Sequence, residues 1–231
     1  MLELEITRDC QLACTHCYAE SSPRASHGTM TTGDWERVIG QAADMGVGMV
    51  QLIGGEPTRH PDFTRLLDYA VDTVGRVEVY SNLLHIPDPV WERLACPGVS
   101  LATSYYSSRP EEHEQITGRT GSHERTRANI AIAVERGIPI RAGIVDILDH
   151  QRVEEARAEL ETLGSSASAP STGCVASAAE PPPPRTWTSC VAGVATPAPP
   201  SPTTATSPPV WWPAGPPWSP ATSMMNRSRK S

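Results

Sequence analysis

The chain has no excess of positive charge: its formal net charge is −7. That removes the global electrostatic case for nucleic acid or an anionic membrane, both of which recruit clustered Lys and Arg. No apolar run approaches the roughly 20 residues needed to span a bilayer. The opening MLELEITRD carries acids where a secretory signal has a basic region, so no signal peptide is expected. A cytoplasmic chain is expected, and in that reducing compartment clustered cysteines bind metal more often than they form disulfides. After residue 164 the shortages become severe. Residues 165–231 have no Leu, Ile, Phe, Tyr or Asp, one acid (Glu180) and four basic residues, against 15 prolines. Such a segment cannot bury enough apolar surface to offset its conformational entropy. Two parts are expected: a core domain over 1–164 and a disordered Pro/Ser/Ala-rich tail over 165–231.

Within the first part, strand-like and helix-like patterns alternate. LELEI (2–6), MVQLI (49–53), VEVYS (77–81), VSLATS (99–104) and IPIRAGIV (138–145) read as strands. Helical spacing follows each in turn, over 31–46, 63–75, 88–95, 122–137 and 151–164; glycines stop several of these helices. Five β-α units in succession predict a parallel α/β sheet with right-handed crossovers, and sites at the C-terminal ends of the strands.

The unusual residues follow those ends. CQLACTHCY places Cys10, Cys14 and Cys17 after the first strand. A structural zinc site closes its sphere with four N/S ligands; His16 is available as a fourth, but it adjoins Cys17, and neighbours rarely both reach one tetrahedral ion. An iron–sulfur cubane normally takes four thiolates; three would leave one iron open to a ligand. GGEP (Gly54, Gly55, Glu56, Pro57) follows the second strand. A plain turn explains it equally well, and the missing Lys-Ser/Thr excludes a P-loop. Ser81 and Asn82 follow the third strand and suit a cap or turn. Ser104 ends the fourth.

CxxxCxxC and GGEP, in that order after successive strands, resemble the radical S-adenosylmethionine (radical SAM) superfamily. The resemblance covers about residues 2–164. It implies a partial (β/α) barrel, here with five of an expected six repeats. It also implies a [4Fe-4S] cluster on Cys10, Cys14 and Cys17, whose open iron chelates S-adenosylmethionine. Reductive cleavage of that sulfonium would give a 5′-deoxyadenosyl radical, with electrons from a flavodoxin or ferredoxin. On this resemblance Gly54–Pro57 hold the methionine amino group, Glu56 accepting from it. Ser81, Asn82 and Ser104 stand at ribose-contact positions. His16 stands where an aromatic backbone meets adenine, although a plain loop histidine fits as well. Arg125 and Arg141 are candidates for the methionine carboxylate, against the alternative of solvated surface arginines.

HEQITGRTGSHERTRANI (113–130) is similar to the HDxxRGxxGSFxxxxxNI stretch of relatives with a C-terminal SPASM or twitch domain; it departs at Thr117 and His123. Tyr18 continues a CxxCY pattern of peptide-modifying members. Both imply a peptide maturase acting on a ribosomally made precursor. No leader-binding domain precedes LELEI, so a separate leader-binding protein is the expected partner. The alternatives are a small-metabolite enzyme, an inactive fragment and a zinc-binding module. Read one base out of frame, Thr186–Val194 permits V-D-E-L-C-G-R-C, which resembles an auxiliary-cluster domain. The tail is therefore read as an out-of-frame remnant of such a domain, with Cys174 and Cys190 assigned no metal.

Overall fold

The computed structural model describes residues 1–168. The expectations for the rest of the tail, Cys174 and Cys190 included, lie outside the described residues. Six parallel strands lie side by side in chain order: β1 (Leu2–Glu5), β2 (Val50–Ile53), β3 (Val77–Tyr80), β4 (Val99–Tyr105), β5 (Ile140–Ile144) and β6 (Ser166–Ser168). The helices are α1 (Thr32–Asp44), α2 (Phe63–Val74), α3 (Asp88–Leu94), α4 (Pro110–Thr117), α5 (Ser122–Glu135) and α6 (Val153–Thr162). None of them is long and apolar enough to cross a membrane.

One row of the register shows how the sheet buries its helix-covered face. Leu4 pairs with Leu52, Leu52 with Val79, Val79 with Leu101 and Leu101 with Ile140. These residues join one core with Ile39 of α1, Leu66 of α2, Leu94 of α3, Ile130 of α5 and Leu160 of α6. Each fully buried Leu or Ile contributes about 1.5–3 kcal/mol. Of the alternate residues, which face the other way, Glu3, Gln51, Glu78, Ser100 and Arg141 are polar. Gln51 hydrogen-bonds Glu78. Arg141 reaches over the small Ala102 to pair with both oxygens of Glu78, at 2.8 and 2.7 Å, and its guanidinium lies over the Tyr80 ring.

All five predicted β-α units are present. Two elements differ from the sequence expectation. The helix α4 was not expected: it buries His113 and Thr117 alongside Ile116, so its inward face carries little hydrophobic signal. The second is β6, which lies inside the stretch 165–231 expected to be a disordered tail: it pairs with β5, Arg141 to Ser166 through Gly143 to Ser168. Backbone hydrogen bonding needs no apolar side chain, which is why SAS escapes a hydrophobicity pattern.

Behind the sheet, β4 and α4–α6 enclose a polar cluster. The Tyr105 hydroxyl donates to Glu159 at 2.8 Å and lies 2.8 Å from His123 Nε2. The His113 ring packs against Tyr105, Tyr106 and His123, and its Nδ1 has no hydrogen-bond partner. Burial, with His123 adding to it, pushes His113 from 6.5 down to about 3. The unfolded chain therefore takes up this proton first as pH falls. The stability contributed by neutral His113 is complete above about pH 6.5 and is lost between there and about pH 3. At 1.36 kcal/mol per unit this amounts to about 3–5 kcal/mol. Urea midpoints should fall steeply from pH 6.5 to 4, and His113→Leu should flatten that slope. An unchanged slope in the variant would assign the acid sensitivity elsewhere.

Candidate active site

Beyond β1 the chain runs through Thr7–Asp9 into the cysteine loop, and beyond β2 the GG turn crosses directly over it. Gly55 N donates to Thr7 O at 2.8 Å and Glu56 N to Asp9 O at 2.9 Å. A Cβ on Gly55 would lie 2.6 Å from Asp9 O and 2.7 Å from Arg8 O, and one on Gly54 would strike Thr7 O. The two glycines are thus required by the neighbouring backbone. Arg59, just past the turn, clamps the same loop through Asp9 at 2.8 Å.

The loop is held from its other side by the end of α4. Ala13 N donates to Thr117 O at 3.1 Å and Thr15 N to Ile116 O at 2.9 Å. Gly118, at φ 66°, brings its Cα so close to Ala13 O that a Cβ would lie 2.7 Å from it. This explains the TG step of the segment similar to SPASM-type relatives. The departures in that segment have structural partners: Thr117 Oγ1 lies 2.7 Å from Ser122 Oγ, and His123 meets Tyr105.

Glu56 is fully buried. Its Oε1 accepts from Thr58 N at 3.2 Å, Thr58 Oγ1 at 2.7 Å and Ser81 Oγ at 2.9 Å, and its Oε2 from Asn82 N at 2.8 Å. All four donors are neutral, and no ion pair to Glu56 forms among the described residues. Burial pushes its carboxyl up against these hydrogen bonds. A buried carboxylate with donors but no counter-charge is suited to receiving a cationic ligand group.

The thiols are similarly placed. Cys10 is buried and packs with Leu12, Leu84 and Cys14. Its Sγ accepts from Leu12 N at 3.4 Å and Asn82 Nδ2 at 3.5 Å, and Cys17 Sγ accepts from Ser21 N at 3.3 Å. Burial pushes Cys10 up to about 12 and Cys14 up to about 11. Metal must displace those protons when it binds. Among the described residues no three His, Cys, Asp or Glu side chains are gathered to grip one ion. A cubane distributes its ligands over separate irons, so its thiolates need not converge on one point. Three thiols on one loop, each of the outer two met by an N–H donor, fit that donor set.

The predicted residues therefore fall into groups. Cys10, Gly54, Gly55, Glu56, Ser81 and Asn82 form one connected set, and Pro57 opens the short turn that brings Thr58 back onto Glu56. Cys14 packs against that set and also meets Tyr106, which joins it to Ser104 and His16. Tyr106 OH lies 3.3 Å from His16 Nε2, and Ser104 Oγ is 3.1 Å from Tyr80 OH. Tyr106 was not foreseen; its position two residues after Ser104, on the same side of the extending strand, was the available signal. Arg141 stands apart near the start of β5, engaged by Glu78. Arg125 lines a cleft of about 510 Å³ with Gln11, Thr58, Arg59, Leu84 and Arg119, of which Gln11 meets Asn82, Thr58 meets Glu56 and Leu84 packs on Cys10. Cys96 is buried just past α3, its Sγ 3.4 Å from Glu92 O, away from the other thiols.

Comparison with known proteins agrees with this arrangement. AdoMet-dependent heme synthase of Methanosarcina barkeri is 30% identical over 142 residues, 61% of this chain and 41% of that protein. The antilisterial bacteriocin subtilosin biosynthesis protein AlbA of Bacillus subtilis is 31% identical over 142 residues, 61% of this chain and 32% of its own. The chain thus spans about a third to two fifths of these relatives. SuiB of Streptococcus suis, solved bound to precursor peptide SuiA, superposes with a TM-score of 0.60 at 25% identity, covering 70% of this chain and 36% of SuiB. The family model for the radical SAM superfamily matches residues 4–162. With the cysteine loop, the GG turn and strands β2 to β5 inside that span, this chain belongs to the radical SAM superfamily.

Proposed function

We propose that this chain binds a [4Fe-4S] cluster on Cys10, Cys14 and Cys17 and uses S-adenosylmethionine to modify a ribosomally made peptide. The observation that carries the reading is the buried Glu56 carboxylate, without a counter-ion among the described residues, joined through Asn82 to Cys10. A methionine ammonium supplies the charge that Glu56 lacks, and the Gly54–Gly55 backbone lies beside it. When bound, the cluster and S-adenosylmethionine supply a 5′-deoxyadenosyl radical. The residues of this chain hold the ligands, orient them and exclude water. Adding S-adenosylmethionine to the reduced protein should alter its electron paramagnetic resonance spectrum, and Glu56→Gln should weaken the affinity by at least tenfold. An unaltered spectrum in the wild-type chain would count against the reading.

A peptide substrate is supported by AlbA, named for a bacteriocin, and by SuiB with its bound precursor. A small metabolite is the second reading, favoured by the heme synthase. Mass change of a precursor peptide encoded beside the gene separates them; turnover of a small metabolite alone would overturn the first. The reading includes a flavodoxin or ferredoxin as electron donor, a separate leader-binding protein, and a cytoplasmic location that keeps the thiols reduced. It also includes a division near Gly164, followed by an out-of-frame remnant of an auxiliary-cluster domain. Its support is that the family match ends at residue 162. Sequencing the coding DNA there decides it, since an intact frame through residue 231 contradicts the remnant.

A further inference from the structure

Asn82 is held by five hydrogen bonds, and together they fix the direction of its side chain. Its backbone N donates to Glu56 and its backbone O accepts from Thr126 Oγ1 at 3.0 Å. Its Oδ1 accepts from Leu84 N at 2.9 Å and from Gln11 Nε2 at 3.1 Å. A backbone N–H can only donate, so the amide oxygen must face Leu84 and the amide nitrogen must face the other way. That nitrogen lies 3.5 Å from Cys10 Sγ. The orientation is dictated by the turn, independently of any ligand.

We infer that the Asn82 amide is a built-in donor to the Cys10 thiolate that raises the reduction potential of the cluster, rather than a ribose contact. This rests on the cluster reading above. A hydrogen bond to a ligand sulfur stabilises the extra negative charge of the reduced cluster, and such bonds are among the factors that set iron–sulfur potentials. The other donor to Cys10 is the Leu12 amide, which belongs to the loop itself. Asn82 comes from the end of β3, and the same residue bonds Glu56, so one side chain and its backbone join the proposed S-adenosylmethionine site to a cluster ligand. Asn82 is a positioning residue in this role: it acts on the cluster through Cys10.

Asn82→Asp keeps the acceptor for Leu84 N but places a carboxylate oxygen where the donor was. Asn82→Ser keeps a short acceptor for the same turn and draws the donor, now a hydroxyl, one bond back from Cys10 without adding charge. The reconstituted full chain is titrated electrochemically, with the reduced cluster read by electron paramagnetic resonance and iron and sulfide counted in each sample. In Asn82→Asp the reduced-to-oxidised ratio at a fixed applied potential should fall at least tenfold, a shift of about 59 mV to more negative values for a one-electron couple. Asn82→Ser should shift the same way by less. Wild-type potentials in both variants at full cluster content would overturn the inference. So would loss of the cluster from both, because the side chain would then build the site instead of tuning it. A wild-type chain with no iron–sulfur signal would defeat the cluster reading along with it, whereas a wild-type signal with unshifted variants defeats this inference alone.

Discussion

Cys14→Ala should abolish the iron–sulfur absorbance near about 400 nm, because a cluster normally held by four thiolates and here offered three has no ligand to spare. Cys10→Ala and Cys17→Ala should do the same. The effect is expected to be complete. No fourth thiol stands by among the described residues: Cys96 lies past α3 with its Sγ toward Glu92 O, and Cys96→Ala should keep full absorbance. Folding should survive in the Cys14 variant, since its side chain sits at the edge of the small Cys10–Leu12–Leu84 cluster and outside the main core. Circular dichroism together with iron content would separate the two losses. Full iron and sulfide in the Cys14 variant would refute the assignment.

Gly55→Ala should be strongly damaging, as should Gly54→Ala, whose added Cβ would strike Thr7 O. The Cβ added at Gly55 would meet two backbone oxygens, Asp9 O at 2.6 Å and Arg8 O at 2.7 Å, and neither can rotate away as a side chain does. Relief requires the crossing loops to part, which strains the bonds from Gly55 N to Thr7 O and from Glu56 N to Asp9 O. A cost of about 3 kcal/mol is expected, lowering Tm by about 6–12 °C for a chain of this size. Iron content should fall with it, since Asp9 precedes Cys10. Gly137→Ala is the control. Gly137 has φ 70° and nothing within 4 Å of an added Cβ, so the change costs only the left-handed penalty of about 1–2 kcal/mol and should leave iron content untouched. Equal effects from the two changes would show that conformation, not the crossing, explains the GG step.

The legible and illegible parts of this chain divide along physical lines. Strand and helix periods are local, so the five β-α units could be read from spacing. The cysteines, GGEP and SN could be assigned to one end of the sheet because parallel strands bring all their C-terminal ends together. Element α4 was hidden because its buried face is His113, Ile116 and Thr117. The Tyr106–His16 approach joins residues 90 positions apart, which no window covers. Asn82 was visible as a turn residue, but whether its amide faced a sugar or a sulfur depended on which way Leu84 N held its oxygen. From the sequence the GG step reads as a turn; the structure adds that the Thr7–Asp9 backbone lies against both glycines where a Cβ would go.

The strand order has a consequence for synthesis. Because β1 to β6 lie in space as they lie in the chain, each strand leaving the ribosome finds its hydrogen-bonding neighbour already made. Parallel sheets with shuffled order must wait for a distant partner and expose raw edges meanwhile. Here the cysteine loop, the GG turn and Asn82 are all translated before β4, and the Ile116–Gly118 clasp before β5. Co-translational assembly would therefore finish the reactive end of the sheet first, and an error in the message beyond α6 would reach a nascent chain whose thiol pocket had already closed.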